Sequence, residues 1–144
     1  MGHRVLIVED DHGIQTLLEA VLRRHSIESS TAGDGDGALK QIGREEFGAI
    51  LLDLLLPRVN GFDVLRHLKN TRRTMLARTI VITAAAESTL RDCEELDLVR
   101  CVLRKPLDID ELVGRVRECL DERAATPAHS EGFEGQRDIR WRSG

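Results

Sequence analysis

Val5-Leu6-Ile7-Val8-Glu9-Asp10-Asp11 decides the fold: an unbroken aliphatic run that ends in a cluster of carboxylates. A run of this kind suits a strand buried on both faces, as in a parallel sheet. Ile14, Leu17, Leu18, Val21 and Leu22 follow it, spaced as one stripe of a helix. The same succession then recurs along the chain. Residues 27–32 form a more polar strand, placed nearer a sheet edge, and Gly33, Gly35 and Gly37 turn into a short helix carrying Ala38, Leu39 and Ile42. Ala49–Asp53 is a third strand, and Phe62, Leu65 and Leu68 mark the helix after Gly61. Thr79–Thr83 is a fourth strand, with a helix over residues 87–96, and residues 99–103 make the fifth. Asp108, an N-cap type residue with Glu111 three places on, opens a last helix through Ile109, Leu112, Val113, Val116 and Leu120. This alternation predicts an α/β fold, a (βα)5 doubly wound five-stranded parallel sheet with right-handed crossovers.

The residues that end these strands carry the chemistry. In a parallel α/β sheet the strand ends gather along one rim, and ligands bind in the crevice there. Glu9 and Asp10 close the first strand, Asp53 the third, Thr83 the fourth and Lys105 the fifth. Carboxylates from two strands, a hydroxyl from another and an ammonium from another would converge into a metal-assisted phosphoryl-accepting site. Glu9, Asp10 and Asp53 placed together repel one another, which disfavours ionisation of all three. A divalent cation relieves that repulsion, and Mg²⁺, being hard, prefers such oxygen ligands. Each residue alone has a plainer account: Asp11 caps the first helix, Thr83 is a β-branched strand residue, Lys105 a surface charge, and Pro57 and Gly61 are punctuation. Only their conjunction, in this order, specifies a site.

In that conjunction residues 4–120 resemble the receiver domain of bacterial two-component response regulators, whose fold is flavodoxin-like. The resemblance implies that Asp53, with Pro57 and Gly61 following it, accepts a phosphoryl group from a histidine kinase or a histidine phosphotransfer protein. It implies Mg²⁺ as cofactor, held by Glu9, Asp10, Asp53 and the backbone carbonyl of Leu55. It makes Thr83 the hydroxyl that contacts the phosphoryl group and Lys105 the ammonium that neutralises it. A cis Lys105-Pro106 peptide bond is expected on the same ground. The output would be a switched protein-interaction surface read by an unknown downstream protein, with homodimerisation through the last helices a further possibility.

The chain also departs from the family pattern. Val102 stands where many members carry Tyr or Phe, and a valine cannot make the inward swing of that ring. Leu55 and Ala85 occupy the positions that help set how readily water reaches the phosphoaspartate. Residues 96–100 lack the usual Gly-Ala turn.

Composition bounds the alternatives. The chain has 144 residues, three Phe, one Trp and no Tyr, so its core must be built from Leu, Val, Ile and Ala. A net charge of −4 gives no basic footprint for direct nucleic-acid binding. No apolar run approaches the roughly 20 residues that span a bilayer, and no leader pattern opens the sequence, so no membrane association and a cytoplasmic location are expected. Cys93, Cys101 and Cys119 are odd in number and lack CxxC spacing, so reduced and mostly buried thiols are expected. The glycines at 33, 35 and 37 match neither GxxxxGK[ST] nor GxGxxG before a helix, and are not a phosphate loop.

The sequence predicts a receiver domain over residues 1–121 and a flexible C-terminal tail over residues 122–144, in which Trp141 stands between Arg140 and Arg142. That tail is too short for a helix-turn-helix effector. A stand-alone phosphoacceptor module, or the same receiver excised from a longer protein, is the expectation rather than an enzyme, with at most self-phosphorylation from small donors and slow autodephosphorylation. One alternative is a degenerate receiver acting as a phosphorylation-independent protein-interaction module, which Val102 favours and the intact Glu9, Asp10, Asp53, Thr83 and Lys105 oppose. A phosphatase of the haloacid dehalogenase type would need an aspartate as acid/base two residues after Asp53, where Leu55 stands.

Overall fold

The computed structural model describes residues 4–124. Five parallel strands, β1 (Val5–Val8), β2 (Ser29–Ala32), β3 (Ala49–Asp53), β4 (Thr79–Thr83) and β5 (Cys101–Arg104), form one sheet in the order β2-β1-β3-β4-β5. The helices are α1 (His12–Arg24), α2 (Gly35–Arg44), α3 (Gly61–Thr71), α4 (Arg73–Leu76), α5 (Glu87–Arg91) and α6 (Ile109–Ala124). This is the doubly wound architecture that the alternation predicts. The chain runs outward from β1 to β2, then returns past β1 to begin β3. The strand order therefore reverses between β1 and β3, and the carboxylates close those two strands.

Because successive side chains of a strand point to opposite faces, the sheet feeds two apolar cores. Leu6, Val8, Ile50, Leu52, Val81 and Val102 pack on one side with α2, α3 and residues around α4 and α5. Val5, Ile7, Leu51, Ile80, Ile82 and Leu103 pack on the other with Leu18 and Leu22 of α1 and Leu112 and Val116 of α6. Phe47 is the largest fully buried side chain in a core otherwise made mainly of aliphatic residues. Cys101 and Cys119 are buried and Cys93 half-buried. Burial, foremost, pushes the thiols of Cys93 and Cys119 up to about 11, so both stay protonated at neutral pH.

Several elements differ from the sequence pattern. The second strand starts at Ser29 rather than at 27, because the Ile27 N–H is bonded to the Leu22 carbonyl at 2.9 Å, across Ser26 at φ 62°. Ile27 thus closes the end of α1 instead of entering the ladder. The helix expected over 87–96 stops at Arg91 and resumes as a 3₁₀ turn, Glu94–Asp97. Leu90 and Leu96 are both buried in the same core. Six residues apart, they would lie about 120° apart around a regular helix, so the break lets both face inward. The fifth strand begins at Cys101, paired with Ile80, although Val99 is buried just before it.

The last helix runs past residue 121 to Ala124, so the expected boundary falls inside α6. The rest of the tail, with Trp141, lies outside the described residues. Among the described residues no helix is long and apolar enough to cross a membrane.

Candidate functional site

Glu9 and Asp10 leave the sheet as a tight turn. The Glu9 N–H donates to the Ala32 carbonyl of β2 at 3.0 Å, extending the ladder by one residue. The Asp11 N–H donates to Glu9 Oε2 at 3.1 Å, and Asp11 Oδ1 accepts the Ile14 N–H at 3.0 Å. Asp11 is thus the N-cap of α1, as its position suggested, while Asp10 is exposed and Glu9 only 3% exposed.

Asp53 ends β3 at 4% exposure, and its Oδ1 accepts the Leu55 N–H at 3.0 Å. Lys105 reaches over from β5: its Nζ lies 3.1 Å from Asp53 Oδ2 and 3.5 Å from Glu9 Oε1. The Lys105-Pro106 bond that follows is cis. Carboxylate oxygens of Glu9, Asp10 and Asp53 all lie within 4.8 Å of one another. Thr83 is fully buried, and its Oγ1 accepts the Ala85 N–H at 2.9 Å, which leaves its own O–H free to donate. Every side chain that the sequence placed in the site is therefore at the same rim of the sheet.

The electrostatics follow from crowding. Burial, foremost, raises the Glu9 carboxyl above its ordinary range; the Asp11 N–H offsets part of this, the Asp53 charge adds to it, and Lys105 opposes it. Burial alone would lower the Lys105 ammonium, but the hydrogen bond and charge of Asp53, supported by Glu9, outweigh it and the net shift is upward. Lys105 stays charged at neutral pH. One ammonium, set against Glu9 and Asp53, does not match three carboxyl groups gathered within 4.8 Å, and this surplus of hard oxygen donors fits a small divalent cation.

The loop after Asp53 is fastened from several sides. The Gly61 N–H donates to the Leu54 carbonyl at 3.0 Å, and the Gly35 N–H to the Val59 carbonyl at 3.0 Å. Arg58, at φ 58°, bonds Asp34 Oδ2 at 2.6 Å, while Asp34 Oδ1 caps α2 through the Gly37 N–H at 2.8 Å. That capping bond, then the Arg58 bond, hold the Asp34 carboxyl below its usual range. Asn60 and Asp63 form a reciprocal capping box that starts α3.

Two large apolar side chains are exposed, and one of them departs from the expected stripe. Leu17 is 51% exposed and Leu55 54% exposed, so Leu17 does not share the buried stripe of α1. Gln15 takes a place on it instead, buried, with Nε2 donating to the Glu9 carbonyl. A polar residue at i−3 and i−7 from Leu18 and Leu22 is the sequence signal that points to it.

Comparison with known proteins adds to this geometry. A family model described as the response regulator receiver domain matches residues 5–117. The chain belongs to that family. Among its relatives, this receiver is 31% identical over 121 residues to the sporulation initiation phosphotransferase F of Bacillus subtilis, covering 83% of this chain and 95% of that protein. It is 32% identical over 117 residues to the sensory transduction protein RegX3 of Mycolicibacterium smegmatis, covering 81% of this chain but 50% of that longer protein. The solved response regulator TrrA of Thermotoga maritima, in complex with Mg²⁺-BeF, matches with a TM-score of 0.72 and 28% identity over 83% of this chain and all, 100%, of that one. The fold and the family of two-component signalling receivers are thereby given.

Proposed function

We propose that this receiver accepts a phosphoryl group on Asp53 and switches a protein-interaction surface in response. The observation that carries the reading is the meeting of Asp53, Glu9 and Asp10 within 4.8 Å, with Lys105 3.1 Å from the Asp53 carboxylate. The donor is a histidine kinase or a histidine phosphotransfer protein. An Asp53 carboxylate oxygen forms the new P–O bond while the donor's P–N bond breaks, and the imidazole keeps the electron pair. A carboxylate has no proton to lose at neutral pH, so no general base is required. Phosphoryl transfer asks chiefly for in-line placement and charge neutralisation. Lys105 supplies a fixed positive charge, and the Thr83 O–H a donor to the transferred oxygens.

Glu9, Asp10, Asp53 and the Leu55 carbonyl would hold Mg²⁺, which when bound neutralises the carboxylates and the phosphoryl oxygens. Support comes from the hard-oxygen donor set here and from the Mg²⁺-BeF complex of the Thermotoga receiver. The domain extends at least to the end of α6. Its downstream target is a protein, and self-association is a further outcome to measure.

Mixing the protein with Mg²⁺ and acetyl phosphate and reading the intact mass tests the proposal. One phosphoryl adduct is expected, mapped to the peptide containing Asp53 and prevented by EDTA. Mg²⁺ binding without an adduct would favour the second reading, a degenerate receiver recognised through its surface alone. Val102, buried in the core at 3% exposure with no ring to swing, is the feature in its favour.

A Lys105→Met variant separates the two charge effects. It removes a cation lying 3.1 Å from Asp53 and 3.5 Å from Glu9, so Mg²⁺ is expected to bind more tightly. Loss of a preorganised charge on the transferred group should still slow adduct formation about 10²–10³-fold. Calorimetric Mg²⁺ titration and the rate of adduct formation read the two effects independently.

A further inference from the structure

Gln15 is the buried polar side chain of the site that no strand end accounts for. We infer that it is a positioning residue: it holds the backbone of Glu9 so that Glu9 and Asp10 present their carboxylates toward Asp53. This rests on the phosphoacceptor reading above and identifies what organises that site.

Gln15 is 9% exposed on the core side of α1, a register that Leu18 and Leu22 fill with aliphatic groups. Burying an amide there is costly unless it is hydrogen-bonded. Its Nε2 donates to the Glu9 carbonyl at 2.5 Å, and its backbone N–H donates to the Asp11 carbonyl at 2.9 Å. One residue of α1 thus closes the turn 9–11 at both ends. On the other side, the Glu9 N–H is fixed to the Ala32 carbonyl at 3.0 Å. The peptide unit is planar, so fixing the Glu9 carbonyl also fixes the N and Cα of Asp10. A single amide therefore fixes the peptide plane that joins the two acidic residues at the strand end. The Glu9 carboxylate is held separately, by the Asp11 N–H and Lys105; the first of these ties the peptide between Asp10 and Asp11, and neither reaches the Glu9 carbonyl that Gln15 holds.

Gln15→Met keeps the length and bulk of the side chain and removes the donor. In the full chain, titrated with Mg²⁺ alone by calorimetry, its Kd is expected to rise about tenfold, the scale on which outer groups that orient ligands act. A merely structural role would lower the melting temperature and leave the Kd of the folded protein unchanged, so both are measured. Gln15→Arg keeps an N–H donor and adds a positive charge that by itself weakens Mg²⁺ binding. Its Kd should nevertheless fall between those of wild type and Gln15→Met. An unchanged Kd in Gln15→Met, or a Kd for Gln15→Arg as weak as that of Gln15→Met, overturns the inference. If Gln15→Met does not fold, Gln15→Arg decides alone: a Kd within about threefold of wild type supports the role, and a loss of about tenfold or more overturns it. Wild-type protein that binds no Mg²⁺ would instead remove the phosphoacceptor reading and this inference together.

Discussion

Replacing Asp53 by asparagine is expected to abolish the phosphoryl adduct completely while leaving a folded domain. Asparagine has nearly the shape of aspartate, so the strand end it occupies is not opened or overfilled. Its carbonyl oxygen can still accept the Leu55 N–H, which bonds Asp53 Oδ1 at 3.0 Å. What would be lost is the oxygen proposed to attack phosphorus, together with the acceptor that faces Lys105 at 3.1 Å. An amide is too weak a nucleophile to stand in.

The variant also discriminates among the acids of the rim, since Asp10 and Asp11 are exposed and nearer to solvent than Asp53. Intact mass after acetyl phosphate and Mg²⁺ treatment gives the result, and a cooperative urea transition shows that the fold is kept. An adduct that persists in Asp53→Asn would move the acceptor to another carboxylate and remove the role assigned to the end of β3.

The strands that meet the site were legible because their signals are local. Val5–Val8, Ala49–Asp53 and Thr79–Thr83 are continuous aliphatic runs buried on both faces, and their bounds in the structure match the sequence pattern. Since the chemistry-bearing residues close such runs, placing the strands also placed Glu9, Asp53 and Thr83. What escaped is set by packing between distant segments. The Arg58–Asp34 bond joins residues 24 apart in sequence, and nothing in either neighbourhood announces it. The short helix α4 spans only four residues, too few to show a helical period. Leu17 joins the α1 stripe by spacing alone, yet α1 turns Gln15, Leu18 and Leu22 to the core and leaves Leu17 half in solvent. A hydrophobic period gives a face to within about one residue's rotation; the partner decides the rest, and here it selected an amide.

Gly61→Ala tests how closely the fold and the site share atoms. A Cβ at Gly61 would lie 2.4 Å from Leu54 Cα and 2.6 Å from the Asp53 carbonyl oxygen. Both are backbone atoms, and neither can move aside without moving the strand end that carries Asp53. Overpacking a rigid site costs typically 1–3 kcal/mol, and a clash with main chain belongs at the upper end, so a loss of about 3 kcal/mol is expected. The direction is opposite to the usual gain from replacing glycine in a helix. Gly114, within α6, has nothing within 4 Å of where its Cβ would stand. Gly114→Ala is therefore expected to stabilise the domain by about 0.5–1 kcal/mol through backbone entropy. Urea unfolding of the two variants should move in opposite directions from wild type. Below the unfolding transition, Gly61→Ala should also form the adduct more slowly, because relief of the clash displaces Asp53 and Leu54, whereas Gly114→Ala should not. Equal adduct rates with a stability loss would mean that the loop yields without disturbing Asp53, and that the close approach at Gly61 serves the packing of α3 alone.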